Sequence, residues 1–335
     1  MNETLSLYKE CVQCPRKCGT DRTASFGFCG ESSALRIASA GLHFGEEPLV
    51  TVFGGSGTIF FTGCTLRCAF CQNYQISAQG LGSEVDEKTF VKMCLLLEKE
   101  GAENINLVTG SHHIPLIAEY IKAAKADGLS IPVAWNSSGY ESVKSLELLK
   151  GAADIFLPDL KTFDSKKSGV LFGSRDYPET AKEAVLWMVS NAPMKVQTVK
   201  KGSEEKEKMF SGVIVRHLFM PGNFEDTVNV LSWLKENVSE KACISLMSQY
   251  TPVPFKGSEA EVSERNKKLS SIENRLVSKE EDSDLRDLIE AFDFDYLFYQ
   301  DLSDDVSWLP DFTRTQPFSN KLAKPLWHYK TGFVT

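Results

Sequence analysis

Three cysteines in one short stretch, Cys64, Cys68 and Cys71, have three and then two residues between them, within Cys-Thr-Leu-Arg-Cys-Ala-Phe-Cys-Gln-Asn ending at Asn73. They follow an apolar run, Thr58 to Thr62, and a glycine, Gly63. The spacing is too close for three unrelated structural cysteines. It is one thiolate short of a closed site, because four cysteines normally hold a 4Fe-4S cluster. Three would leave one iron with an open position, as catalytic metal sites do. The chemistry expected of this loop is therefore that of an iron–sulfur cluster with room for a reactant.

A second cysteine group lies upstream. Cys11, Cys14 and Cys18, with Cys29 in Phe-Gly-Phe-Cys-Gly, are separated by Gly and Pro turns. Three close thiols and a distant fourth read as a small metal knuckle, for zinc or a second iron–sulfur cluster. Seven of the nine cysteines precede residue 72. The start of the chain lacks a basic region followed by an apolar stretch, so no secretory leader is expected and a cytoplasmic location is. In that compartment clustered cysteines are metal ligands rather than disulfides.

Both groups need a scaffold. With 335 residues, 42% hydrophobic and 24% charged, the chain has the make-up of a soluble globular protein. A net charge of -8 argues against nucleic acid as the main partner. No apolar run is long enough to predict a membrane span. Phe53-Gly-Gly-Ser-Gly57 lacks the Lys-Ser/Thr and following helix of a phosphate loop, so it reads as a turn.

From residue 58 strands and helices alternate. Strands are expected at 58–62, 104–109, 132–135, 154–157 and 242–247, with 194–199 and 213–219 competing for the fifth position. Helices are expected at 86–99, 114–126, 141–150, 179–190 and 224–236. Cys94 and Cys243 fall on apolar faces and read as core. Such alternation implies right-handed crossovers and a parallel sheet, a six-unit partial barrel more than an eight-unit closed one. A doubly wound open sheet fits the same pattern. Residues 200–208 are a mixed charge run and read as a solvated loop. Residues 256–284 read as a polar surface insertion leading into a helix at 285–292, with a strand at 296–299. The tail beyond Ser303 has scattered aromatics and no regular pattern, and is expected to pack back on the barrel. The organisation expected is a cysteine-rich segment, 1–35, a barrel, 55–255, and an extension, 256–335.

In parallel α/β barrels functional groups collect where strands end. Thr109, Ser111 and His112 follow the second predicted strand, with His113 beside them. Asn136, Ser137 and Ser138 follow the third. Asp159 and Lys161 follow the fourth, and Arg216 and His217 sit in the fifth. Each has a plainer role open to it: His112 and His113 as helix caps, the Asn-Ser-Ser run as N-cap residues, Asp159 and Lys161 as a surface ion pair. Arg216 is harder to set aside, because a charge in an apolar strand needs a partner.

Cys64-x3-Cys68-x-Phe70-Cys71 resembles the signature of the radical S-adenosylmethionine (SAM) enzymes. The stretches 63–73, 154–161, 212–222 and 247–250 resemble motifs of the subgroup similar to pyruvate formate-lyase activating enzymes, some of which carry an N-terminal cysteine segment. The resemblance implies a partial (β/α)6 TIM-type barrel and a 4Fe-4S cluster on Cys64, Cys68 and Cys71, with SAM chelating the fourth iron. Phe70, Thr109, Ser111, His112, Asn136, Ser138, Asp159, Lys161 and Arg216 match positions lining the cofactor pocket. A low-potential donor such as flavodoxin or ferredoxin would supply the electron, and a glycyl radical enzyme would be the protein substrate. Two departures stand out. Activating enzymes commonly have Gly-Gly-Glu-Pro where this chain has Thr109-Gly-Ser-His112, and many have a histidine where it has Gln249-Tyr250. Other readings of the residues are a radical SAM oxidoreductase acting on another peptide or small molecule, an electron carrier completed by Cys94 or Cys243, and a zinc-stabilised binding module.

Overall fold

The computed structural model describes residues 3–303, 306, 308–319 and 321–334. In chain order the elements are α1 (Glu3–Ser6), β1 (Arg36–His43), β2 (Gly55–Phe61), α2 (Tyr74–Ser77), β3 (Ser83–Glu84), α3 (Glu87–Lys99), β4 (Ala102–Val108), α4 (Ile114–Ala126), β5 (Val133–Ser137), α5 (Val143–Leu146), β6 (Ile155–Pro158), α6 (Ser165–Leu171), α7 (Tyr177–Asn191), β7 (Lys195–Lys201), β8 (Glu204–Leu218), α8 (Phe224–Asn237), β9 (Cys243–Met247), α9 (Glu259–Leu269), α10 (Lys279–Phe292), β10 (Leu297–Gln300), β11 (Ala323–His328) and β12 (Gly332–Phe333).

The strands form one open sheet in the order β10-β9-β8-β6-β5-β4-β2-β1-β11-β12, with β3 on β1 and β7 on β8. From β2 to β10 every neighbouring pair is parallel. The strands β5 and β6 are buried throughout, as parallel strands covered on both sides are. One face carries Ile105, Leu107, Trp135, Phe156, Val213 and Ile244, which join the helices in the main core. Successive helices touch one another on that face: α3 with α4, α4 with α5, α5 with α7. A doubly wound sheet would place them on both faces.

Side chains alternate across a strand, so the other, inner face carries Thr58, Asn104, Asn106, Val108, Ala134, Asn136, Ile155, Leu157, Ile214, Arg216, Cys243 and Ser245. The loop between β1 and β2 crosses the N-terminal ends of the strands. Glu103 accepts from the Val52 and Phe53 amides, and Asn104 donates to the Val50 carbonyl at 3.0 Å. Leu49 and Val50 thereby reach the inner face and pack with Ala134, Ile155, Leu157, Met209, Ile214 and Cys243.

Several sequence expectations are corrected. Residues 200–208 are not a loop but the tip of the β7–β8 hairpin, turned at Gly202 (φ 62°). At its tip lysines oppose glutamates, Lys200 against Glu205 and Lys201 against Glu204. The two segments competing for the fifth parallel position both form strands, but only β8 enters the parallel run. The helix expected over 141–150 shrinks to α5 and one 3-10 turn. Residues 256–284 contain α9 and the start of α10, both capped by Ser–Glu capping boxes at Ser258 and Ser278. The tail is not without regular structure. Its β11 pairs antiparallel with β1, an early strand the sequence reading omitted. The strand at β10 adds a seventh parallel member. The extension also covers part of the inner face, where fully buried Phe312 meets Phe60 at 5.3 Å between ring centroids, together with Val108 and Phe318.

Candidate active site

Gly63, two residues past β2, lies in the left-handed region (φ 81°), and a Cβ there would fall 2.4 Å from Glu31 Cγ and 2.9 Å from the Cys29 carbonyl. Only glycine lets the N-terminal cysteine segment press this close behind the loop. The Cys64 amide then donates to the Cys29 carbonyl at 3.3 Å. Further along, the Ala69 amide donates to Leu171 at 3.0 Å and its carbonyl accepts from Arg265 at 2.7 Å. Backbone contacts therefore fix the loop and leave its thiols to the interior. The Cys64 sulfur accepts from the Leu66 amide at 3.3 Å, and the Ser77 hydroxyl donates to the Cys71 sulfur at 3.4 Å. Phe70 lies edge-on to Phe172 and Tyr250.

All three cysteines are free. Burial pushes the Cys68 thiol up, Lys161 opposes this, and Cys64, Cys71 and Asp159 add to it. Burial also raises Cys71, with Ser77 and Lys161 working the other way and Cys64 adding to the rise. The three thiols, Lys161 and Asp159 thus share one electrostatic neighbourhood. Among the described residues no group of three or more His, Cys, Asp or Glu side chains is set to hold a single metal ion. Binding iron would require the three thiols to give up their protons.

Asp159 sits between two cations. Lys161 Nζ approaches it at 2.5 Å, and Arg216 Nε donates to it at 3.1 Å. Arg216 also donates to Asn136 Oδ1 at 2.5 Å. Burial opposes the Asp159 charge, but Lys161 and Arg216 outweigh it and hold its carboxyl below the usual range. Tyr177, absent from the sequence candidates, clamps this corner. Its hydroxyl lies 2.8 Å from the Asp159 carbonyl and receives the Lys161 amide at 2.9 Å. The plainer reading of Asp159 and Lys161 as a surface ion pair is corrected: with Arg216 they form a largely buried triad, assembled because β6 and β8 are neighbours.

The second strand end behaves differently. Thr109 closes β4 at φ 62°, costly for a β-branched residue, and donates its amide to the Asn136 carbonyl at 2.9 Å. Ser111 turns into the protein and bonds the carboxyl of Glu141, which Ser137 also contacts at 3.2 Å. Glu141 is buried and its pKa is pushed up to about 7, chiefly by burial. Nothing in the sequence marked it. His112 is also turned away, its Nε2 2.7 Å from the Thr62 carbonyl; burial and then Arg22 push its pKa down to about 3, so it is neutral. His113 meets Arg22 and Tyr8. The Ser138 carbonyl accepts from Tyr177 at 3.0 Å. His217 faces Leu160 and Thr227 rather than the triad.

Behind the loop, the Cys14 thiol is raised to about 12, chiefly by burial, with Cys29, Cys11 and Cys18 each contributing, so the four upstream cysteines are neighbours. Cys18 is exposed and the others are buried. Arg22, also unmarked by sequence, is fully buried among them. It donates to the His112 carbonyl at 2.6 Å, the Ser32 carbonyl at 2.6 Å and the Glu31 carbonyl at 3.0 Å, and its guanidinium is 3.7 Å from the Cys11 sulfur. Cys94 is packed in the core and Cys243 lies 3.8 Å from the Met194 sulfur. Neither supplies a fourth ligand to the loop.

Residues 58–234 match the family model described as the radical SAM superfamily. An uncharacterised protein of Methanocaldococcus jannaschii is 28% identical over 255 residues, covering 74% of this chain and 68% of that one. Among solved structures, SuiB of Streptococcus suis bound to S-adenosylmethionine aligns over 70% of this chain at 13% identity with a TM-score of 0.45. A radical SAM methyltransferase from Sphaerobacter thermophilus aligns over 75% of this chain and 68% of its own, at 12% identity and a TM-score of 0.45. The chain covers 47% of SuiB, about half its length. The family model spans more than half of the chain, including the cysteine loop and every strand end described above, and the chain belongs to the radical SAM superfamily.

Proposed function

We propose that the protein is an enzyme that cleaves SAM reductively, with Cys64, Cys68 and Cys71 as the ligands of a 4Fe-4S cluster. The observation that carries this is the loop itself: three free thiols, fixed through backbone contacts, beside the Asp159–Lys161–Arg216 triad. Membership of the family implies the cluster and SAM. The donor set fits, because soft thiolates suit iron–sulfur clusters and three of them leave an open iron. When bound, the reduced cluster and SAM supply a 5'-deoxyadenosyl radical and methionine. The chain's own part is orientation and exclusion of water. Lys161 and Arg216 bring positive charge to where an anionic carboxylate would sit, and Asp159 offers an acceptor for an amine. Asn136 holds Arg216 in place. The strained Thr109, with Ser138 and Phe70, completes the lining. Ser111 and His112 act from behind it.

We read the open parallel sheet as a partial barrel, with residues 1–35 and 256–335 as segments added at its two ends. The upstream cysteines are read as a second thiolate metal site, in which buried Arg22 offsets negative charge. A low-potential donor such as flavodoxin or ferredoxin fits the electron requirement, and a cytoplasmic location fits both.

For the target of the radical, the resemblance favours a glycyl radical enzyme. A second reading, a small-molecule substrate, is favoured by Phe312 and Phe318 lying across part of the inner face, which narrows the room for an entering polypeptide. The test is direct. Protein reconstituted anaerobically with iron and sulfide, reduced and given SAM, is expected to form 5'-deoxyadenosine. Cys68→Ser is expected to lose that product and the cluster absorbance together. An intact cluster that yields no product would refute the reading.

A further inference from the structure

The inner face is filled at both sides and polar in the middle. Leu49, Val50 and Met209 cover its β5–β9 side at one end of the strands, and Phe312 and Phe318 cover its β2–β4 side. Between them lie polar groups whose bonding is incomplete. Asn104 is satisfied: it accepts from Ser56 at 2.6 Å and donates to Val50. Asn106, two residues on and facing the same way, is fully buried, and neither its amide oxygen nor its amide nitrogen has a partner among the described residues. Its neighbours across the sheet, Thr58 and Ala134, leave it facing inward. A buried amide with neither bond made is costly, and such groups normally mark a strain or a binding role.

Glu47, in the β1–β2 loop, lies within electrostatic reach of Arg216 and Asp159 on the same face. Its Oε2 is also buried and unpartnered. The neighbouring Glu46 is matched to His43 at 3.5 Å. Arg216, whose charge acts on Glu47, is already engaged by Asp159 and Asn136. Besides its own backbone amide, Glu47 has no donor among the described residues, and its Oε2 stays buried without a partner. Chemistry that completes both residues is an N–H-rich cation for Glu47 and a group that both donates and accepts for Asn106.

We propose that this interior is a substrate pocket for a small amine that also carries an amide or hydroxyl group, with Glu47 facing the amine and Asn106 the amide or hydroxyl. The proposal deepens the small-molecule reading above and rests on it. The pocket lies on the inner face that also carries Arg216, so a substrate held there would be presented to the radical from within the strands.

The test uses the full chain, reconstituted and loaded with SAM, and thermal shift with a panel of glycinamide, ethanolamine, L-asparagine and L-lysinamide, with acetamide and glycolate as controls lacking the amine. At least one amine is expected to raise the melting temperature by about 3 °C at millimolar concentration, and the controls are not. Glu47→Gln and Asn106→Leu are each expected to weaken that binding about tenfold or more. Asn106→Leu without ligand is expected to melt at the wild-type temperature or above it, because it removes an unsatisfied buried amide. No shift with any amine, equal shifts in both variants, or a ligand-free Asn106→Leu that melts more than about 3 °C lower would each overturn the proposal. Amine binding that follows this pattern in a protein that forms no 5'-deoxyadenosine would keep the pocket and sink the enzyme reading instead.

Discussion

Glu141 offers a test of how the site is braced. It is 1% exposed and its two carboxyl oxygens meet Ser111, just past β4, and Ser137, the last residue of β5. Its pKa is raised from 4.5 to about 7, with burial the largest cause, set against the Ser111 and Ser137 hydrogen bonds. A raised carboxyl pKa costs stability as pH rises. Below about 4.5 both folded and unfolded chains hold the proton. Between 4.5 and 7 the unfolded chain releases it and the folded chain keeps it, so stability falls with pH. Above 7 both are ionised and the loss is complete. A shift of about 2.5 pKa units corresponds to about 3 kcal/mol at 1.36 kcal/mol per unit. Glu141→Gln keeps a donor and an acceptor for the two serines and cannot ionise. Its stability relative to wild type should rise by about 3 kcal/mol from pH 4.5 to 7.5. At about 2.1 cal/mol/K per residue of unfolding entropy, that is roughly 4 °C in melting temperature for a chain of this length. Glu31, also raised to about 7 by burial, titrates in the same window but is common to both proteins and cancels in the difference. The assay is urea unfolding of wild type and variant across that range. A flat difference curve, or a variant less stable at pH 8, would show that Glu141 is ionised in the fold or that its carboxylate is held by groups other than the two serines.

Asp159→Asn should destabilise the protein by about 3 kcal/mol, because Lys161 and Arg216 lose the counter-charge between them. Since its folded pKa is depressed, that penalty should be full above about pH 4 and shrink as pH falls through the folded value, as read by urea melts at stepped pH. Arg22→Met should cost about 2–5 kcal/mol, leaving the His112 and Ser32 carbonyls unpaired while the Glu31 carbonyl keeps the Gly27 amide, and should lower the metal content of reconstituted protein if the upstream cysteines hold a metal. Phe312→Ala should cost about 3–4 kcal/mol by opening a cavity against Phe60 and Val108, measurable by calorimetry. The same change should leave the Gln75 bonds to Asp311 and the Phe312 amide intact, because they involve backbone and neighbouring side chains.

Legibility differed by kind of feature. The cysteine loop stands out in the sequence because spacing is a local property that no packing alters. The parallel strands from β2 to β9 were readable because buried strands leave continuous apolar runs. Helix α5 was over-read because the residues up to Gly151 have helical composition but include a 3-10 turn at Glu147–Leu149. Strand β11 has no local signature beyond ordinary alternation, because its partner β1 lies nearly 300 residues away in the chain. The β7–β8 tip was missed because its lysines and glutamates look like a solvated run until they are paired across the hairpin.

The site divides in the same way. Sequence alone determined the identities of the three thiols, and that Asn136, Asp159, Lys161 and Arg216 stand at strand ends, because strand period and loop position are local properties. Only the tertiary structure decided which of these face one another. The adjacency of β6 and β8 turned Asp159, Lys161 and Arg216 into one triad, and the turn after Thr109 sent Ser111 and His112 behind the sheet. Loop closure and burial likewise drew in Arg22, Glu47, Glu141 and Tyr177, residues with no motif to mark them. Burial and charge pairing are properties of the packed whole: a carboxyl with ordinary chemistry in the chain becomes a brace, a counter-ion or an unsatisfied acceptor only when the fold removes water and chooses its neighbours.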